Sequence, residues 1–503
     1  MTGDGAMTTL KLIAAVILTG IIAVGPAAAA DDKPKRTLKN DMTEVYLVLP
    51  PAADNFTEIF SKGVVYGRLR TNLFYHDWDK EAGTQKDNHA FGIGGSLLYK
   101  TAGRHGFSAT VGLYTSQNPV QALNVDKADV GSVKAGKDTF DRNKIKNNGA
   151  YNGHWGMTTL AQAYLEYKIG NSDLRLGRQI FEGFLLRSND TKMIPNTFMG
   201  LSLVNKDIPA TTIKAAYFTR QKLRDHTDFH DVIAYDSWNE NDDSVSHKGL
   251  TKSRLETASI DTELIVLGLT NKSVQDLTID TWITTVPDLF YSVMAEVNYK
   301  VLLAGGWSVT PGLRYMRQFD DGAGVIGGAA LNASLAGATG ASRGYRDAAS
   351  VDGGLWGLRA VLAKGAGSLL AGYTKVADRA DLIAPWRGFP TGGYTRSMAQ
   401  YNWEANTASW MIKVSYDFGK AGLVPGFRAA LDYAVMDYDD AKEQAGGIDK
   451  TDRAIVHLDM WKQFRALPNL EAKIRIGLLE GDKTITGADP SYNEARFELN
   501  YLF

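Results

Sequence analysis

The sequence predicts an all-β fold, a transmembrane antiparallel β-barrel of about 18 strands with short periplasmic turns and long external loops. Three observations predict it. Apolar and polar residues alternate with period two in segments of about 9–11 residues, the length of a tilted strand crossing a bilayer. The connections alternate short and long. Aromatic residues gather at both ends of the apolar faces, as interfacial girdles do.

The front of the chain is a targeting segment. Lys11 precedes an apolar run from Leu12 to Val24, and Ala28 and Ala30 form a small-residue site before Asp31. This pattern reads as a secretory signal peptide over 1–30, whether Met1 or Met7 starts the chain. Composition bounds the rest. Among 503 residues the net charge is −1, so no polyelectrolyte signal points to nucleic acid. Cys is absent, which removes disulfide scaffolds and thiolate metal sites. Gly and Tyr are plentiful at 51 and 22 while Pro is sparse at 14, which suits many strands better than disorder.

The strands follow in order. One face of 91–99 carries Phe91, Ile93, Leu97 and Tyr99, and one face of 107–113 carries Phe107, Ala109, Val111 and Leu113. Ala161, Ala163, Leu165 and Tyr167 oppose Gln162, Tyr164, Glu166 and Lys168. Leu289, Tyr291, Val293, Ala295, Val297 and Tyr299 oppose Ser292, Glu296, Asn298 and Lys300. Trp410, Ile412, Val414 and Tyr416 oppose Lys413, Ser415 and Asp417; Phe427, Ala429, Leu431 and Tyr433 oppose Arg428 and Asp432; Ile474, Ile476 and Leu478 oppose Lys473 and Arg475. Weaker segments lie at 172–180, 198–206, 211–221, 260–270, 275–285, 368–375 and 454–464. The last stave is "ARFELNYLF", apolar at Ala495, Phe497, Leu499, Tyr501 and Phe503. It pairs with the first stave near Val65, Leu69 and Leu73, because a closed barrel leaves no edge.

Short connections such as "AGRHG", "GNS", "DIPA", "KGAG" and "RALPN" alternate with long ones at 117–157, 181–197, 222–256, 320–351 and 376–408. The barrel therefore spans 63–503, preceded by a periplasmic segment, 31–62, in which "DNFTEIFSK" forms a short helix that lies in the periplasm or plugs the pore. Tyr99, Phe107, Tyr167, Tyr299, Trp307, Tyr416, Phe418, Phe427 and Phe503 belong to the periplasmic girdle. Tyr75, Phe91, Tyr291, Tyr315, Trp410 and Tyr433 belong to the external one. Three features fit less well: Pro311 removes a ladder donor and predicts a bulge or bend, Phe218 falls on the polar face, and the register near 256–270 is ambiguous.

By parity the polar face lines a lumen that holds Arg68, Arg70, Lys214, Arg220, Arg314, Arg359, Arg428, Lys473, Arg475 and Arg496. Fewer acids join them: Glu166, Asp280, Glu296, Asp432, Asp459 and Glu498. Two readings follow. The charges pair across the wall and solvate a water-filled pore, or several arginines form a track for carboxylate-bearing solutes, which the planar guanidinium binds bidentately. About 18 strands leave an open channel, so a selective pore needs loops inside it. The candidate constriction loop is 181–197, with Arg187, Asp190, Lys192 and Pro195, and 376–408 is the second candidate.

Residues 163–219, "AYLEYKIG…KAAYFT", resemble the OprD family of outer-membrane porins. Lys192-Met-Ile-Pro195-Asn-Thr197-Phe-Met-Gly200 is similar to that family's R-L-x-P-x-T-x-x-G element, and "FSKGVVYGRLRTNLFYHDWD" is similar to its first strand. The family usually carries Arg where this chain has Lys192, and Lys lacks the bidentate fork. The resemblance implies an 18-stranded channel with a basic ladder that passes small solutes bearing a carboxylate. Its reach over amino acids, peptides and aromatic acids leaves the solute unnamed.

The competing functions are a general non-selective porin and a structural or adhesive outer-membrane barrel with a plugged pore. Catalysis is not expected: no nucleophile elbow, zincin, Walker or dinucleotide motif stands in a fitting context. His457 is a wall histidine with no evident nucleophile beside it. Asp225, His226, Asp228, His230 and Asp231 on a presumed external loop read as solvated charge before they read as a metal site. No cofactor is expected. The expected partners are outer-membrane lipid, small solutes and, through the terminal Phe503, the outer-membrane assembly machinery. A homotrimer suits the class, although no isologous patch is readable.

Overall fold

The computed structural model describes residues 36–38, 44–46, 49–83, 85–120, 134, 139–145, 151–188, 192–233 and 247–503. The expected signal peptide and Asp190 lie outside the described residues.

Two short strands, β1 (Arg36–Leu38) and β2 (Glu44–Tyr46), pair with each other, and a one-turn helix α1 (Phe56–Ser61) follows. The barrel is then β3 (Val64–Trp78), β4 (Asn88–Lys100), β5 (Phe107–Gln117), β6 (Gly156–Ile169), β7 (Ser172–Gln179), β8 (Thr197–Asn205), β9 (Thr211–Lys222), β10 (Leu264–Asn271), β11 (Leu277–Val286), β12 (Phe290–Tyr299), β13 (Trp307–Asp320), β14 (Gly353–Lys364), β15 (Gly367–Val376), β16 (Ala408–Asp417), β17 (Phe427–Asp437), β18 (Arg453–Phe464), β19 (Leu467–Gly481) and β20 (Tyr492–Leu502). Each pairs antiparallel with the next, and β20 closes on β3 through Tyr501↔Leu69 and Phe497↔Leu73. These are 18 staves, the even number expected of a single-chain barrel. The weakly patterned segments all form strands within a few residues of their expected bounds.

The outward face is the apolar one. Leu69, Leu113, Leu165, Leu358, Val414 and Leu431 are exposed, as lipid-facing side chains must be when the bilayer is the solvent. Aromatic pairs bound this band. Phe107 lies 4.5 Å from Tyr167, their rings tilted by 33°, and Phe418 lies 4.8 and 5.1 Å from Tyr416 and Phe427 at the short-turn end. At the other end Trp410 meets Tyr433 at 5.3 Å, and Trp356 with Tyr373 extends the row. The start of β3 and the end of β20 both lie at the short-turn side. There the Phe503 ring rests on Gly67, where an added Cβ would come 2.9 Å from its Cζ. One connection breaks the alternation: residues 287–289 join β11 to β12 as a three-residue turn at the long-loop end, with Asp288 at φ 60°.

Pro311 produces no register shift. It pairs through to β14, while on the β12 side the ladder lapses opposite it and resumes in the same register at Val301–Leu302. The missing donor costs ladder bonds on one side alone. Bulges occur elsewhere, at Ala161 against β5, at Thr219 against β8 and near Gln463 against β19.

Candidate functional site in the barrel lumen

The bulge at Thr219 decides the fate of one expected site residue. Gly200 pairs with Phe218 and Met199 with Arg220, so one extra residue sits between them and parity reverses. Arg220 therefore points outward and is exposed, whereas Gln221 turns inward and is buried. Arg220 is not part of the lumen wall. The other seven expected arginines, on β3, β13, β14, β17, β19 and β20, face the lumen.

Six of these seven are closely paired. Arg70 Nη2 lies 2.8 Å from Glu498, and Arg68 Nε lies 2.9 Å from Glu44 of the N-terminal hairpin. Arg475 donates to Asp459 at 2.9 and 3.3 Å, and Arg496, 4.0 Å over the Phe74 ring, pairs with Glu494. Arg314 approaches Glu296 at 2.7 and 2.5 Å, and Arg359 reaches the other oxygen of Glu296 at 3.0 Å. Arg428 differs. It lies 4.7 Å over Trp461, its nearest carboxylate in an ion pair is Glu471 at 3.9 Å, and its side chain is 46% exposed. Glu166 and Lys168, both on the polar face, join a cluster at the short-turn end that parity left incomplete: Lys100, Lys168 and Arg175 lie 2.9, 3.6 and 3.0 Å from Glu166, with Asp173 3.7 and 3.8 Å from the last two cations. Lys168 was visible on the polar face; Arg175 was hidden in the weak pattern of β7.

The lumen is also filled. The described residues of loop 180–196 and loop 377–407 fold inward and bind each other, through Arg187 N to Trp386 O at 3.0 Å and Gly388 N to Leu185 O at 2.8 Å. Arg314 donates to the carbonyls of Pro390 and Gly392 at 2.8 Å each, and Arg359 to Gly393 at 2.9 Å. The Tyr394 ring lies 4.4 and 4.7 Å from the two guanidinium carbons. Gly357 on the wall gives that ring room, since a Cβ there would stand 3.0 Å from it. Among the described residues of the first loop Arg187 is the exposed group, beside Glu182 at 3.3 Å. Lys192 is buried: Nζ lies 3.4 Å from Asp225, and its carbonyl accepts from Arg70. The Pro195 carbonyl accepts from Lys222 Nζ at 2.9 Å.

Phe218 now has a reason. It stacks on Phe198 at 5.0 Å and meets Phe181 at 5.4 Å in an apolar core formed by both loops and the lumen faces of β8–β15. Leu264 and Val266 face this core while Ile265 and Leu267 face lipid, which explains the ambiguous register there. Phe290, Met294 and Met316 on the same parity were the signal available in the sequence.

Other expected residues serve structure. Asp225 is buried with Lys192 at 3.4 Å and Arg142 at 3.7 Å, and burial followed by the charges of His230 and Arg142 holds His226 well below its usual range. His457 sits between Asp432 at 3.1 Å and Asp459 at 3.4 Å. In the external loops, Asp381 accepts from Leu331 N at 2.8 Å, Ala405 N at 2.7 Å and Tyr345 OH at 2.7 Å. Burial and the nearby Glu404 charge nevertheless push its carboxyl up to about 7.

The N-terminal segment divides. Helix α1 packs at the short-turn rim, where Tyr99 OH donates to Phe60 O at 2.6 Å and Ala102 N to Ile59 O at 2.9 Å. The hairpin of β1 and β2 instead places Glu44 and Tyr46 against lumen-facing Arg68 and Tyr66, so this part of 31–62 is inside the barrel, not in the periplasm.

Comparison with known proteins agrees with this architecture. The family model described as outer membrane porin, OprD family, matches residues 120–502. No curated protein sequence matches significantly. Among solved structures, Pseudomonas aeruginosa OccK9 (OpdG) superposes with TM-score 0.66 at 18% identity, covering 88% of this chain and 99% of its own. P. aeruginosa OpdK, solved with vanillate, gives 0.64 at 15% over the same shares, and Acinetobacter baumannii OccAB1 gives 0.66 at 16%, covering 88% and 97%. The chain belongs to the OprD family of outer-membrane porins, a channel protein of the Gram-negative outer membrane.

Proposed function

We propose that this porin passes small carboxylate-bearing solutes, among them organic and aromatic acids and amino acids, along a basic lumen wall. One observation carries the reading: two wall carboxylates are each shared by more than one cation. Glu296 serves Arg314 and Arg359, and Glu166 serves Lys100, Lys168 and Arg175. A wall with surplus guanidinium and ammonium groups favours anions, and exposed Arg428 over Trp461 offers both a carboxylate fork and an aromatic surface. Arg187, the exposed cation of the inward loop, adds a basic group at the narrowing. OpdK solved with vanillate, an aromatic carboxylate, supports the same chemistry by fold alone.

Liposome swelling with amino acids, aromatic acids, dicarboxylates and sugars tests this. Carboxylates enter faster than sugars of similar size if the reading is right; equal rates leave a general porin. The apolar packing of both loops in the lumen favours a second reading, a structural barrel with a filled pore. Folded protein silent in planar bilayers would establish that reading. Phe503, seated on Gly67 at the periplasmic rim, is the proposed signal for the assembly machinery. Its deletion should leave unassembled chain in the periplasm, and normal assembly would refute the role.

A further inference from the structure

The hairpin of β1 and β2 lies in the short-turn half of the lumen, where β20 ends against Arg68. Glu44 is not a wall residue, yet its side chain is 4% exposed and its Oε1 lies 2.9 Å from the Nε of fully buried Arg68. Ser96 Oγ donates to the same carboxylate oxygen. Two residues on, the Tyr46 ring stacks on lumen-facing Tyr66, with centroids 5.1 Å apart and planes 12° from parallel. An arginine, a hydroxyl and an aromatic face together make a carboxylate site with a platform for an apolar body. The group that shows this chemistry is the chain's own Glu44.

We propose that Arg68, Ser96 and Tyr66 form a carboxylate subsite on the solute path, occupied at rest by Glu44, so that the N-terminal hairpin is a tethered competitor which incoming carboxylates displace. The idea rests on the proposed carboxylate pathway and adds its regulation. A tethered ligand competes at high effective concentration, set by its linker and not by its abundance. Free solute must therefore reach a concentration that outcompetes the tether, and flux rises more steeply with solute than in an unobstructed pore.

The test uses full-length protein in liposomes, with benzoate and the uncharged sugar arabinose as probes. Glu44→Gln should raise benzoate entry at low concentration by about threefold or more, since the apparent dissociation constant scales inversely with the unoccupied fraction, and should also raise arabinose entry. Tyr46→Ala should act in the same direction. Arg68→Gln should release the hairpin and raise arabinose entry without raising benzoate entry beyond it. The heat-dependent electrophoretic shift of a folded barrel checks each variant. Unchanged rates in both Glu44→Gln and Tyr46→Ala, in a channel that prefers benzoate, overturn the proposal and leave the pathway standing. A wild-type channel that admits benzoate no faster than arabinose overturns the pathway, and the subsite with it.

Discussion

Replacing Arg314 with Met keeps the aliphatic stem and removes the fork that ties the second inward loop to the wall. The side chain is 10% exposed and donates to the carbonyls of Pro390 and Gly392 at 2.8 Å each, besides its pair with Glu296. Hydrogen bonds from a charged donor contribute about 1.5–3 kcal/mol apiece, so two of them hold the loop by about 3–6 kcal/mol. The lower end of that range, about 3 kcal/mol, is roughly two orders of magnitude in the opening equilibrium of the loop. Arg359 still holds Gly393 at 2.9 Å, so the loop opens without detaching wholly. Hydrogen exchange read by mass spectrometry should show peptides covering 386–396 losing about 100-fold protection at that free-energy cost, while strand amides of β13 and β14 keep theirs. Arg314→Lys should fall between, since one ammonium cannot serve both carbonyls and Glu296. Unchanged protection of 386–396 in Arg314→Met would refute the tether.

On the lipid face, Leu431→Arg at the middle of β17 should cost about 2–4 kcal/mol in folding titrations into bilayers, and a cost near zero would mean that this face does not meet the hydrocarbon. For Asp381 the folded carboxyl is pushed up to about 7 against about 3.9 unfolded, so the native state holds the extra proton between those values. Loop stability is then complete near pH 4, falls as pH rises to 7 and stays flat above. Exchange protection of the Leu331 and Ala405 amides, corrected for intrinsic rates, should fall over that range, and Asp381→Asn should abolish the dependence.

The staves were legible because lipid demands one uniformly apolar face, and period two survives wherever the ladder is regular. β16, β17 and β20 show this plainly, with Trp410, Leu431 and Tyr501 outward and Lys413, Asp432 and Glu498 inward. Counting fails at a bulge, because one unpaired residue such as Thr219 exchanges the faces beyond it; this moved Arg220 out of the lumen. It also fails where the lumen is dry. The faces of β9–β13 carry Phe218, Val266, Trp282, Phe290 and Met316 inward because they pack on loops instead of water, and alternation then carries no sign. Both candidate loops were named from the sequence, but the contacts that seat them on the wall were hidden for another reason. The bonds that draw 389–394 onto the wall are made by backbone carbonyls, which have no residue signature. The hairpin was likewise invisible, since Glu44 and Arg68 are far enough apart in sequence for only the fold to join them.

The most direct measurement is the reversal potential of single channels in planar bilayers under a potassium chloride gradient. A wall on which Glu296 serves two cations and Glu166 three predicts an anion-biased potential, one that moves toward zero when exposed Arg428 becomes Gln. A cation-biased potential in the wild-type channel, from folded and conducting protein, would contradict the basic pathway outright.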